Sequence, residues 1–199
     1  MREISIEDCF GQAIAKYSTG LDFGVEIGGG TGDGSTQCIK TEKLWSFEVH
    51  TDRVGRHGMN LSMRPGGTPM HCLSSNPELW MNEKEIANFY NTTPTNLNAY
   101  PLEMVLGWLK EDLSVASSYK WEPAIPVFNI DFLLLDGGAF SGWADFMQWL
   151  PLVRRHGIIA LDDTNDIKNH GNYEWLKISG HELIWENKGW RNGCAIFAK

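Results

Sequence analysis

No apolar run in these 199 residues approaches the ~20 positions that a membrane helix needs, so no membrane partner is expected. The opening stretch, MREISIEDCFGQAIAKYS, sets acids where a secretory signal wants an apolar core, and the expected compartment is the cytoplasm. Cysteine is sparse: Cys9, Cys38, Cys72 and Cys194 lie far apart with no CxxC pair. That tells against a zinc site or a disulfide framework and for reduced, buried thiols. Basic residues are also short, 17 Lys and Arg against 25 Asp and Glu, a net charge of −8. Such a balance repels phosphate backbones, so no nucleic-acid partner is expected.

Two nucleotide signatures are missing as well. Gly29 and Gly34 have the spacing of a P-loop, but Ser35 stands where its phosphate-binding lysine belongs. The dinucleotide fingerprint GxGxxG fails too. Counted from Gly28 its last position is Asp33, and counted from Gly30 it is Ser35.

What is present is FGVEIGGGTGDGSTQCI, a short apolar run followed by a dense group of glycines. Glycine inside an element costs backbone entropy, so a group like this marks a place where a ligand or another backbone comes close. Its pattern is an acid and then glycines at alternate positions: Glu26, Gly28, Gly30 and Gly32, with Gly29 between.

The rest of the chain alternates. Ile6, Phe10, Ile14 and Tyr17 recur at helical spacing behind the capping pair Ser5 and Asp8. Apolar runs follow at FGVEI, LWSFEV, MHCL, IDFLLLD, GIIALDD, HELIW and CAIFAK. Phe132–Leu135 is apolar at consecutive positions, as in a strand covered on both faces. Between IDFLLLD and GIIALDD, Trp143, Phe146, Met147 and Leu150 mark a helix with Ser141 near its start. Strands alternating with helices predict an α/β fold of Rossmann-like, doubly wound type. The expected sheet has seven strands, mostly parallel. ENKGWRNG is too short for a helical crossover, so the last strand should be antiparallel.

One domain over 1–199 is expected, with an insert at about 82–129. Within it only Leu102–Leu113 reads as helical; the remainder reads as loops rich in Asn, Thr and Pro. Such an insert is either a binding surface or a plain surface elaboration. Trp143 and Trp149 read as core. Trp80, Trp108 and Trp121 flank or lie in the insert, where either burial or stacking on a ligand would use them.

The acid-and-glycine pattern resembles the first motif of the class I S-adenosylmethionine (SAM)-dependent methyltransferases. The resemblance covers nearly the full length except the insert. It implies SAM as cofactor, with the glycines passing under its amino-acid portion and Glu26 orienting its amino group. Glu48 closes the second run, about twenty residues beyond the glycines, where a carboxylate accepts ribose hydroxyls. Val49 beside it, Ser74 and Ser75 after the third run, and Asp136 complete the implied cofactor contacts.

The stretch IDFLLLDGGAFSGWADFMQWLPLVRRHGIIALDDT looks like a small-molecule O-methyltransferase branch related to the catechol O-methyltransferases. Asp136 is followed by Gly-Gly-Ala, not the Pro-Pro-aromatic run of amino-directed relatives, which tilts the acceptor toward oxygen. The implied function is methyl transfer to a hydroxyl of a small sugar or phenolic molecule.

That branch implies Mg²⁺ or another divalent metal on Asp136, Asp162 and Asp163, since hard cations take oxygen ligands. The alternative for Asp162 and Asp163 is a helix-capping pair without metal. The branch's lysine base is replaced by Ala139. This leaves the base unassigned, with His170 and Asp166 as candidates beside Asp136. A non-catalytic SAM-binding protein of the same fold and an NAD(P)-linked oxidoreductase are the rival readings. A homodimer through the insert's aromatic residues is a further expectation.

Overall fold

The computed structural model describes residues 4–122 and 129–199. The chain opens with α1 (Cys9–Ser18), whose N-cap Asp8 accepts from the Gly11 and Ser5 amides. Then come β1 (Phe23–Ile27), the short α2 (Ser35–Cys38), β2 (Lys43–Phe47), α3 (Val54–Met63) and β3 (Gly67–Met70). The insert contributes α4 (Glu83–Thr92) and α5 (Leu102–Ala116). After it follow β4 (Ile130–Leu135), α6 (Gly142–Trp149), β5 (Val153–Asp162), α7 (His170–Ile178), β6 (Glu182–Asn187) and β7 (Cys194–Ala198).

These strands form one seven-stranded sheet in the order β3-β2-β1-β4-β5-β7-β6. Pairing is parallel from β3 through β5, and β7 runs antiparallel to both β5 and β6. This is the architecture expected from the alternation of runs. Every residue of β4 is buried, because helices cover both faces of the sheet. Leu133 and Leu135 pack into one core cluster with Val25, Phe146 and Trp149. The alternate residues Phe132 and Leu134 pack into the other with Phe10 and Ile14. Strand periodicity and two-sided burial thus account for the continuous apolar run.

Four expectations need correction. β3 lies at Gly67–Met70 and not at MHCL; the apolar residues after it line a cleft instead. β5 begins at Val153, before the GIIALDD run. There Val153 pairs with Ile130, while the exposed Arg154, Arg155 and His156 interrupt the apolar pattern. The insert holds a second helix, α4, where loops were expected. It is started by a capping box in which Asn82 accepts from the Glu85 amide and the Glu85 carboxylate accepts from the Asn82 amide. Finally Trp143 is 41% exposed and stacks on Phe146, while Trp149 is core as expected.

The insert builds its own small core from Ile86, Leu97, Val105 and Leu109. These pack on Phe140 after β4 and Ile167 after β5. It therefore sits over the carboxyl ends of these strands. Its other end is tied to the β2 side, where Tyr119 Oη donates to the Val49 carbonyl at 2.6 Å. The part of the expected insert at 123–128 lies outside the described residues. Among the described residues no helix is long and apolar enough to cross a membrane.

Candidate active site

The strand order reverses between β1 and β4, and in open α/β sheets ligands bind in the crevice beyond the carboxyl ends at such a point. A cleft of about 340 Å³ lies there, within the ~300–1,000 Å³ range of small-molecule sites. Each strand end contributes. Gly28 follows β1, Glu48, Val49 and His50 follow β2, Leu73 and Ser74 come after β3, and Asp136 with Gly137 and Gly138 follows β4. The insert supplies a wall of Trp108, Asp112 and Val115, beside Trp80 and Phe140. All four cysteines are free thiols.

The glycine turn is shaped by steric need. A Cβ on Gly28 would lie 2.2 Å from the Asp136 carbonyl oxygen, and its φ of 89° disfavours any L side chain. On Gly29 a Cβ would meet Ser46 Oγ at 2.2 Å and His57 Nε2 at 2.5 Å. The amides of Gly28 and Gly29 both donate to the Phe47 carbonyl, at 3.0 and 2.9 Å. Gly30 is half-buried and flanks the turn. Gly32 closes it by donating to the Gly29 carbonyl at 2.9 Å.

Glu26 lies beneath this turn and does not line the cleft. It is fully buried, and three hydroxyls donate to its carboxylate: Ser35 and Thr36 at 2.6 Å and Ser46 at 2.5 Å. Burial raises its pKa, an effect the three hydroxyl bonds oppose and nearby Asp136 adds to. Ser46 Oγ also hydrogen-bonds His57 Nε2 at 2.8 Å, and His57 Nδ1 hydrogen-bonds His71 Nε2 at 3.3 Å. Burial, then His71, pushes the His57 pKa down to about 4, which keeps that ring neutral. Glu26, expected at a cofactor amine, thus sits in a buried hydrogen-bond network that braces the loop. Ser46 and His57 were not singled out by the sequence, because only the fold brings them under Glu26.

Glu48 is 5% exposed. Its Oε1 accepts from the Val49 and His50 amides, each at 2.8 Å, and its Oε2 lies 4.0 Å from Arg53. Ser74 lines the cleft, with its hydroxyl committed to Asp145 Oδ1 at 2.6 Å. Ser75 is buried behind it and accepts from Trp80 Nε1 at 3.1 Å. Burial raises the Asp145 pKa, against hydrogen bonds from Ser74, Ser75 and Ser141. Asp112 reaches the cleft from α5. Its pKa is raised by burial, partly countered by His50 and slightly augmented by Glu111.

The three acids singled out at the β4 and β5 ends do come together. Oxygens of Asp136, Asp162 and Asp163 all lie within 4.8 Å of one another. In donor chemistry such a set suits a hard divalent ion. The position is taken by the chain itself. Lys168 Nζ lies 2.7 Å from Asp136 Oδ1 and 2.6 Å from Asp163 Oδ2, and Arg191 lies 3.1 Å from Asp162 Oδ2. Burial disfavours the Lys168 ammonium, but Asp136, Asp163 and Asp162 outweigh it and raise its pKa. Asp162 is raised too, by burial first and then Asp136. As arranged, these residues do not fit a metal ion.

His170 and Asp166 do not line the cleft. The His170 ring packs edge-on against Phe89 at 5.7 Å and faces a separate polar hollow with Asn96 and Asn165. Asp166 Oδ1 accepts from the Ile167 amide at 2.6 Å; burial, offset in part by this bond, raises its pKa. Asp136 is the one expected catalytic residue in the cleft. Trp80 and Trp108 line it, and Trp121 does not.

No family model and no curated protein matches the chain. Its fold does match solved structures. A precorrin 8w decarboxylase from Methanobacterium thermoautotrophicum shares 13% identity and a TM-score of 0.52, over 96% of this chain and 87% of that one. An rRNA methylase from Streptococcus thermophilus shares 13% identity and a TM-score of 0.51, over 95% and 93%. A putative caffeoyl-CoA O-methyltransferase from Staphylococcus aureus shares 12% identity and a TM-score of 0.52, over 95% and 80%. At this identity the likeness is one of fold alone: a Rossmann-like, mostly parallel seven-stranded sheet.

Proposed function

We propose that this chain acts as a SAM-dependent methyltransferase, a single domain whose acceptor is an oxygen of a small molecule. The observation that supports it most is the meeting of the glycine turn and Glu48 in one cleft at the switch point. The Gly28 turn lets backbone approach a ligand closely, and SAM brings no pyrophosphate that would require a P-loop lysine or an anion nest. Glu48 offers a nearly buried carboxylate for the two ribose hydroxyls, Val49 and Ser74 border the base, and Asp136 stands beside the turn. When bound, SAM supplies an electrophilic methyl group.

The acceptor end is aromatic and apolar, with Trp80, Trp108, Val115 and Phe140. Such a wall suits a phenolic or sugar ring. The net charge of −8 disfavours nucleic acid. Asp112 faces the same cleft and its carboxyl lies above the usual range because it is buried. This suits it to take the proton of an acceptor hydroxyl, a role for which His170 is misplaced.

Methyl-labelled SAM incubated with a panel of phenols, sugars, amines and RNA tests the reading. Label in hydroxyl acceptors, lost in Asp112→Asn while cofactor binding persists, is the expected result. Label in amines or RNA would overturn the acceptor class. Cofactor binding with no label anywhere would leave the non-catalytic reading standing.

A further inference from the structure

The acidic cluster carries its own cation. Lys168 Nζ touches two of its three carboxylates at 2.7 and 2.6 Å, and the Lys168 side chain is 13% exposed. Its backbone is clamped. A Cβ on Gly142 of α6 would lie 1.9 Å from the Lys168 carbonyl oxygen. The adjoining Asn169 donates to the carbonyls of Leu135 and Asp162 at 2.9 and 2.7 Å, while accepting from Asn172 at 2.7 Å. Lys168 is thus held by the ends of β4 and β5 and by α6, which fixes where its side chain enters the cluster. An ion and an ammonium cannot share so small a space, because like charges a few ångströms apart repel strongly in a poorly solvated site. The cluster still has acceptors to offer: Asp162 Oδ1 and Asp163 Oδ1 are buried without a hydrogen-bond partner among the described residues.

We propose that Lys168 is the resident cation of the Asp136–Asp162–Asp163 cluster, replacing a divalent metal and orienting Asp136 toward the cleft. Lys168 is a positioning residue acting through Asp136; that role rests on the methyltransferase reading, whereas the exclusion of metal does not. No step at this site then calls for an added ion.

The test is titration of the ligand-free protein with Mn²⁺, read by electron paramagnetic resonance, for the wild type, Lys168→Met and Lys168→Arg. The wild type should bind no stoichiometric Mn²⁺ at millimolar ion. Lys168→Met should gain one site per chain, lost again in Lys168→Met with Asp162→Asn, and its melting temperature should rise with Mn²⁺. Lys168→Arg should exclude the ion as the wild type does. Stoichiometric Mn²⁺ on the wild type, abolished by Asp162→Asn, would overturn the proposal, as would a folded Lys168→Met that binds none. Should Lys168→Met not fold, the wild-type titration decides alone. S-adenosylhomocysteine titrated in parallel reports on the methyltransferase reading separately, since its failure to bind would leave the Mn²⁺ result intact.

Discussion

Glu26 and Asp162 are both fully buried carboxylates at strand ends, and the chain treats them in opposite ways. Glu26 is surrounded by neutral hydroxyls from Ser35, Thr36 and Ser46. Asp162 sits with two further carboxylates among the cationic Lys168 and Arg191. Hydroxyls satisfy oxygens and fix geometry without cancelling charge, which fits a residue that braces a loop. Cations cancel charge, which fits a cluster of acids packed against one another. The first region is built for the shape of a binding turn and the second for electrostatic balance, although both lie beside the same cleft.

Removing the balancing charge should have the largest effect. Breaking a buried ion cluster from one side typically costs about 3–5 kcal/mol, so Lys168→Met should lose stability of that order in urea unfolding. A loss below ~1 kcal/mol would mean that the carboxylates find solvent and that the two regions differ less than drawn here. Next comes the shape of the turn. Gly28→Ala forces a Cβ against the Asp136 carbonyl at positive φ, at a cost of about 2–4 kcal/mol. Its signature in calorimetry should be lost S-adenosylhomocysteine binding. Retained affinity would show that the turn is not the cofactor cradle.

Glu48→Ala should act on binding more than on folding. Leaving ribose hydroxyls without an acceptor in a partly dry site costs ~1–3 kcal/mol, roughly a five- to 150-fold weaker dissociation constant. Unchanged affinity would remove Glu48 from the site.

A further effect is on pH dependence. The fold keeps His57 neutral down to about pH 4, whereas an ordinary histidine takes up its proton near 6.5. Below 6.5 the unfolded chain therefore binds a proton that the folded chain refuses. The stability tied to neutral His57 is present above that pH and declines as pH falls from 6.5 to 4. His71 and Ser46 face the ring, and Glu26 behind Ser46, its pKa raised by burial, works in the opposite sense. Replacing the ring by His57→Gln should flatten the acid limb of melting temperature against pH. Parallel curves for the two proteins would contradict the network.

The comparison also explains what the sequence could and could not reveal. The glycine spacing and the continuous apolar β4 are local patterns, and local patterns suffice for topology and for the position of the cleft. Helix α4 had a local sign too, Asn82 with Glu85, obscured by a composition rich in Asn and Thr. Asp136, Asp162 and Asp163 were visible as acids at strand ends, and they do meet. Their counter-ion was not, because Lys168 is 32 positions from Asp136 in the chain and follows Asp163 through a loop, where no periodicity says which way a side chain turns. The bracing role of Glu26 was hidden for the same reason: Ser46, which donates to it, comes from β2, and His57, which meets Ser46, comes from α3.

Isothermal titration of the purified chain with S-adenosylhomocysteine, and separately with NAD, decides whether the cleft is a SAM site. Saturable one-to-one binding of S-adenosylhomocysteine is expected, weakened by Glu48→Ala and unaffected by chelator, with no heat from NAD. Binding of NAD alone, or of neither ligand by a folded protein, would contradict a SAM site.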